Sequence, residues 1–396
     1  MEKQAIDEEL RPFRIEVPEG DLDDLRRRLS QVRWPPEPAD GGDGYGVPLA
    51  RIRELVRYWQ DEYDWRVWEA RLNEHPQFTT AIDGTRVHFL HVRSPEADPL
   101  PLVLSHGWPG SVAEFLDVLG PLSDPRRHGL DPAIAFDVVV PSLPGFGWSG
   151  PTPDTGWGPR RIARAWAVLM SRLGYRRYGA AGNDWGSRIS PELGRLAPEA
   201  VVGVHVTQLF SFPDGESMAF PPTADTLDPS TLTPADRQAL TTLRSIQRNR
   251  SSYYHLHAQQ PQTLAYAISD SPVGLLAWNS QVMHSLDPDA LLTHVSIHWL
   301  TGTAGSAPRI YAEQERQSAP EGPTTVPLGL ARFPDDIDAI RAVAERDHAN
   351  IVSWNTYDRG GHYAARQAPE LLVNDIRAFF ASVTSPPASG AGRPPR

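Results

Sequence analysis

One carboxylate stands where chemistry is expected: Asp184, inside Gly182-Asn183-Asp184-Trp185-Gly186. The apolar run YGAAG before it reads as a strand, and the residues after it read as a helix. Glycines on both sides of one residue mark a sharp strand-to-helix turn that exposes that residue's side chain. A serine there would give an acyl-enzyme. An aspartate instead displaces a leaving group at a saturated carbon and becomes an alkyl ester. Water must then attack the carbonyl carbon of Asp184 itself, which requires a base and donors for the oxyanion. The competing reading is that Asp184 only caps the following helix, a position aspartate favours.

The same chemistry names the partners to look for. SHGWPGS (105–111) follows the strand-like PLVLS, which is where an oxyanion loop belongs. The backbone N–H groups of Trp108 and Trp185 are the candidate donors. His106 reads as a brace for this loop rather than a proton carrier. The base should come late in the chain, and RGGHYAA offers His362 behind two glycines. His348 is the rival, placed before the last strand. The acid that orients the base should lie between nucleophile and base, an order α/β-hydrolases use. ARFPDDIDAI supplies Asp335, Asp336 and Asp338 there; Asp336 is preferred over Asp335, although spacing does not separate them. His255 and His257 form an H-x-H pair, a weak metal signal without carboxylate support.

The elements that must hold these groups alternate. Strand-like runs at PLVLS (101–105), FDVVV (136–140), YGAAG (178–182) and VVGVHV (201–206) are separated by helix-like stretches near 112–120, 159–173 and 186–196. Short apolar runs of this kind suit a buried parallel sheet. A hairpin precedes them, FTTAI and TRVHFLHV around Asp83-Gly84. Strand signals fade after 211 and resume at VPLGLA (326–331) and NIVSWNTY (350–357), before a last helix at 369–380. The expected fold is α/β, an α/β-hydrolase sheet with a helical cap inserted in it and an N-terminal meander. The domain reading is 1–77 for the N-terminal segment, 78–211 and 321–383 for the core, 212–320 for the cap, and 384–396 for a disordered tail. In the N-terminal segment DLDDLRRRLSQVRW places Leu22, Leu25, Leu29 and Val32 on one helical face, and a tryptophan-rich helical run follows at 51–72.

Composition removes other chemistries. The 396 residues contain no cysteine, so disulfides and thiolate chemistry are excluded. Lys3 is the one lysine among 38 basic residues, which argues against Schiff-base, pyridoxal-phosphate and P-loop mechanisms. A net charge of −11 disfavours nucleic acid or an anionic membrane as a partner. The charged start lacks a signal-peptide core, and no apolar run reaches the roughly 18 residues of a membrane span. A cytoplasmic location is the expectation. The arginine, alanine and proline bias hints at GC-rich bacterial coding.

Taken together, LRRRLSQVRWP, YWQDEYDWRVWEARLN, FTTAIDG, HGWPGS, DWGS, DSPVGLLAW, HWLTGT and RGGHYAA make the chain resemble the epoxide hydrolases of the microsomal type, over nearly its whole length. The resemblance implies conversion of an epoxide to a vicinal diol. It implies Asp184 as nucleophile, His362 as base and Asp336 as acid, where many members carry glutamate. It also implies two cap tyrosines that donate to the epoxide oxygen, Tyr253 (with Tyr254 a one-residue slip) and Tyr311. Asn183 stands where relatives often have a small residue. No metal and no organic cofactor is implied; the partners are a small-molecule epoxide and water, and a homo-oligomer stays open. The 12 Trp, 11 Tyr and 12 Phe suggest a bulky, even aryl, epoxide, in natural-product biosynthesis (secondary metabolism) or detoxification. A haloalkane dehalogenase and a non-catalytic binding protein on the same scaffold are the alternatives.

Overall fold

A computed structural model describes residues 8–211 and 232–384. The sequence readings at 212–231 and in the tail 385–396 lie outside the described residues. Within them the strands form one sheet: β1 (Arg11–Phe13), β2 (Gln77–Ile82), β3 (Thr85–Val92), β4 (Leu100–Ser105), β5 (Phe136–Pro141), β6 (Tyr178–Gly182), β7 (Val201–Val206), β8 (Leu328–Arg332) and β9 (Ile351–Thr356). Their spatial order is β1-β2-β3-β5-β4-β6-β7-β8-β9. The β1–β3 side is antiparallel, and β3 also runs antiparallel to β5. From β5 to β9 every pair is parallel. This is an α/β-hydrolase sheet. The expected hairpin turns at Asp83 and Gly84, both with positive φ.

The inner parallel strands, β4 to β8, are largely apolar on both faces because helices cover both. One face packs against the helix Pro159–Arg172, whose Ile162, Ala163, Trp166, Leu169 and Met170 recur at helical spacing and are buried. Trp166 also donates its indole N–H to Ser105 Oγ at 3.0 Å, tying that helix to the end of β4. The opposite face is filled by Leu116, Leu119 and Leu122 and by Leu372, Ile376, Phe379 and Phe380 of the last helix, Pro369–Thr384. Truncating a buried ring such as Phe380 would cost about 3–5 kcal/mol.

Between β7 and β8 lie inserted helices, among them Pro234–Arg250, Ser252–Gln259, Pro261–Asp270, Pro272–Ser280, Pro288–Leu300 and Arg309–Glu315. The N-terminal helices Glu19–Ser30 and Leu49–Asp61 pack mainly on this layer. Leu25, Leu29, Ile52, Leu55 and Trp59 share a cluster with Leu275, Leu276, Leu291, Leu292 and Val295. Leu22 faces Trp65 and Leu72 instead. Val32 does not extend the stripe, because the helix ends at Ser30 and Val32 is only half-buried. The helical run at 51–72 is two helices, since Asp64 caps a new one, Trp65–Leu72, by accepting the N–H of Arg66 at 2.9 Å.

Candidate active site

β6 ends at Gly182, and the helix Gly186–Leu196 starts four residues later. Between them Asp184 has φ +48°. That region is unfavourable for side-chain-bearing residues, though aspartate tolerates it better than most. The flanking glycines are required by contact. A Cβ on Gly186 would lie 1.9 Å from the carbonyl oxygen of Ser105, and one on Gly182 would lie 2.6 Å from the carbonyl carbon of Gly186. The turn can therefore form only where two chain segments lack side chains, and it projects the Asp184 carboxylate beneath the inserted helices.

Trp108 donates its backbone N–H to Asp184 Oδ1 at 2.8 Å, and the backbone N–H of Trp185 acts on the same carboxylate. Gly107 makes this approach possible, since a Cβ there would fall 2.0 Å from Asp184 Oδ1. Burial pushes the Asp184 pKa up, while the His362 charge and these two N–H groups pull it down; the net direction is up. Both predicted backbone donors thus meet at one oxygen-bearing group.

The loop that carries His362, the candidate base, comes from the other end of the chain. Gly360, with φ +102°, turns the backbone after β9 and brings His362 back over the sheet. Its Nδ1 lies 2.8 Å from Asp336 Oδ1, and its Nε2 lies 3.7 Å from Asp184 Oδ2. Burial alone would lower the His362 pKa. The charge and hydrogen bond of Asp336 outweigh it, with further help from Asp184 and Glu114, and raise it to about 10. Asp336 is buried, and its Oδ1 also accepts the N–H of Ile337 at 2.7 Å. The structure separates the three candidate acids. Asp335 is exposed with φ +57°, and Asp338 pairs with Arg332. His348, the rival base, sits apart, against Thr324 at 3.2 Å.

The inserted layer supplies the aromatic roof. Tyr253 stacks on the Trp108 indole with centroids 5.3 Å apart and planes at 17°. Tyr311 meets Trp185 edge-on at 4.6 Å and Tyr253 at 5.9 Å. Burial first, and for both the nearby Asp184 charge among others, holds both phenols well above their ordinary pKa, so they stay protonated donors. Tyr254 points elsewhere, donating its hydroxyl to Glu315. His257 packs edge-on against Trp108 at 4.5 Å and accepts the indole N–H of Trp278 on Nε2 at 2.9 Å. Burial lowers its pKa to about 3, so it is a neutral ring carrying its proton on Nδ1. His255 lies on the same helix, and among the described residues no group of three or more His, Cys, Asp or Glu could hold a metal ion.

Three buried histidines hold the 105–111 loop. His106 Nε2 accepts the N–H of Leu143 at 3.2 Å, so its Nδ1–H donates to the Gly107 carbonyl at 3.0 Å. His298 Nε2–H serves the carbonyls of Pro109 and Gly110 at 3.0 and 3.2 Å. His294 Nδ1 lies 2.9 Å from Ser111 Oγ. The bracing role expected of His106 is visible in this geometry; His294 and His298 were not singled out from sequence.

Two further buried groups escaped the sequence reading. Gln208 lies between Asp184 and Asp336. Glu114, five residues past Pro109, accepts the side-chain N–H of Asn183 at 2.5 Å. Burial raises its pKa to about 8, a shift the His362 charge opposes and the Asp184 charge reinforces. Asn183 also reaches the His362 carbonyl at 3.5 Å, so the residue beside Asp184 touches the loop that carries His362.

Comparison with known proteins places this geometry. Residues 10–115 match the family model "Epoxide hydrolase N terminus", and residues 101–245 match "alpha/beta hydrolase fold". A candidate epoxide hydrolase of Stigmatella aurantiaca is 40% identical over 381 residues, covering 93% of this chain and 84% of that protein. Epoxide hydrolase 1 of Sus scrofa is 32% identical over 413 residues, covering 95% and 89%. The structure of Aspergillus niger epoxide hydrolase superposes with a TM-score of 0.83 at 30% identity, covering 96% of this chain and 98% of that one. Among the described residues no helix is long and apolar enough to cross a membrane.

Proposed function

Since the chain belongs to the epoxide hydrolase family that carries this N-terminal segment, we propose that Asp184 opens the epoxide and is itself the atom source for the first product oxygen. Asp184 Oδ2 attacks one ring carbon. The C–O bond of the ring breaks as Tyr253 and Tyr311 donate to the departing oxygen, and one phenol gives it a proton. The imidazolium of His362 replaces that proton through solvent. Its pKa of about 10 depends partly on the Asp184 charge. Esterification removes that charge, so the ring becomes easier to deprotonate when a base is needed.

In the second half His362, oriented by Asp336, takes a proton from water. The hydroxide adds to the Asp184 carbonyl carbon, and the oxyanion forms against the N–H groups of Trp108 and Trp185. Collapse releases the vicinal diol and restores the carboxylate. Neither half needs a metal or an organic cofactor.

One observation carries this reading: a single carboxylate lies between two backbone N–H donors, a carboxylate-paired imidazole and two protonated phenols. The aromatic roof of Trp108, Tyr253, Tyr311 and His257 favours a bulky, aryl-bearing epoxide. Natural-product biosynthesis and detoxification both use such substrates. Phenols over the nucleophile disfavour halide as the leaving group, since the paired donors match an alkoxide.

The test is a single turnover of styrene oxide in ¹⁸O water. Label is expected in Asp184 and not in the first diol. Label in the first diol would mean direct attack by water and would overturn the ester mechanism. Chloride release from a haloalkane would favour the dehalogenase reading, and tight epoxide binding without turnover would favour a receptor.

A further inference from the structure

We infer that Gln208 is a positioning residue that locks the acid to the nucleophile turn, so that ester hydrolysis depends on it. The inference rests on the reading of Asp184 and Asp336 as nucleophile and acid. Gln208 follows β7 by two residues and is fully buried. Its Oε1 accepts the backbone N–H of Asp184 at 2.7 Å and lies 2.9 Å from Ser187 Oγ. Its Nε2 donates to Asp336 Oδ2. The amide orientation is forced: flipped, it would aim NH₂ at the Asp184 N–H and an oxygen lone pair at a carboxylate.

The consequence is a closed set of contacts. Asp336 Oδ1 is occupied by His362 and by the Ile337 N–H, and Gln208 takes Oδ2. The carboxylate cannot swing without breaking three charge-assisted bonds. The same amide gives the Asp184 N–H its acceptor in a turn whose positive φ leaves it outside the helix. One side chain therefore spans groups 24 and 128 positions from itself in sequence. Ser187 supports it by accepting the Gln208 backbone N–H at 3.4 Å.

Two substitutions test this with styrene oxide as probe, using quenched-flow intact-mass measurement of the alkyl-enzyme. Gln208→Leu should leave attack within a few-fold and slow ester decay on the order of 10- to 100-fold, as expected when a hydrogen bond to a charged group is lost. The ester should accumulate. Gln208→Glu keeps size and shape. Protonated, it can donate to Asp336 and accept from Asp184; ionised, it repels Asp336. Its ester decay should approach the parent rate at low pH and fall at least tenfold further behind by pH 8.5. A filler role would give no ester accumulation and a pH profile parallel to the parent, and either result overturns the inference. Loss of attack alone also overturns it. Should Gln208→Leu not fold, the profile of Gln208→Glu decides alone. Asp184→Ala and Asp336→Asn are run alongside. If Asp184→Ala still forms an ester, or Asp336→Asn hydrolyses it normally, the underlying reading fails, whatever Gln208 does.

Discussion

His362 Nε2 lies 3.7 Å from Asp184 Oδ2, too far for a hydrogen bond and close enough for both to meet one water molecule. The imidazole is held by Asp336 and not by the Asp184 carboxylate. The proposed nucleophile, Asp184, and the proposed base, His362, are therefore separable by mutation. His362→Gln should still form the alkyl-enzyme, and then stall, with turnover down about 10²- to 10⁴-fold. Intact mass after mixing with excess epoxide checks this. An unmodified chain at steady state would show that His362 is not the hydrolytic base.

The roof tyrosines should divide by position. Tyr253→Phe and Tyr311→Phe each remove a donor over Asp184 and should lower kcat/KM about 100-fold, with the double variant lower still. Tyr254→Phe removes the hydroxyl that donates to Glu315 and should keep kcat/KM within a few-fold. Equal losses at Tyr253 and Tyr254 would contradict the geometry.

Two glycines should fail in different ways. In Gly107→Ala the new methyl would fall 2.0 Å from Asp184 Oδ1 and 2.4 Å from its Cβ, so the Asp184 turn itself must shift; activity should drop at least 100-fold in a protein that still folds with a lowered melting temperature. In Gly186→Ala the methyl meets the Ser105 backbone at 1.9 Å, which cannot yield, so the protein should lose folding stability first. Melting curves and rates for both variants separate the cases.

Acid should unfold the protein early. Burial lowers His88, His106, His257 and His294 to about 3, and His298 and His348 to about 4. Unfolded, such rings take up protons near 6.5. The unfolded state thus binds more protons below pH 6.5, and stability should fall steadily from there to pH 4, by as much as about 1.4 kcal/mol per pH unit for each ring. Melting temperature against pH measures it, and a flat curve from 6.5 to 4.5 would refute it.

Alkali acts through the opposite sign. Glu114 keeps its proton to about pH 8 when folded but only to about 4.5 when unfolded. Its contribution is complete below 4.5 and is lost as pH rises through 8. Glu114→Gln should flatten the slope of melting temperature between pH 5 and 8 relative to the parent. An unchanged slope would mean the buried carboxyl is already ionised at neutral pH.

Much of this site was legible from local pattern. The strand-turn-helix at Asp184 and the loop at Trp108 follow from glycines, whose need the backbone contacts explain. The choice of Asp336 over Asp335 was not legible by spacing, because one peptide's φ decides which carboxylate faces inward. Gln208 and Glu114 left no mark in the sequence. Each matters through a partner at least 24 positions away, and an isolated Gln or Glu carries no periodicity of its own. The split of the 51–72 run was written in Asp64, a good helix cap, but the amphipathic pattern across it concealed the break.

The first two N-terminal helices bury Leu25, Leu29, Ile52, Leu55 and Trp59 against the layer that holds the two phenols. Ceiling and scaffold are thus one mechanical piece. An engineer who grafts a foreign lid to widen the range of accepted ethers must transplant those leading helices with it, or leave greasy surface bare on both parts.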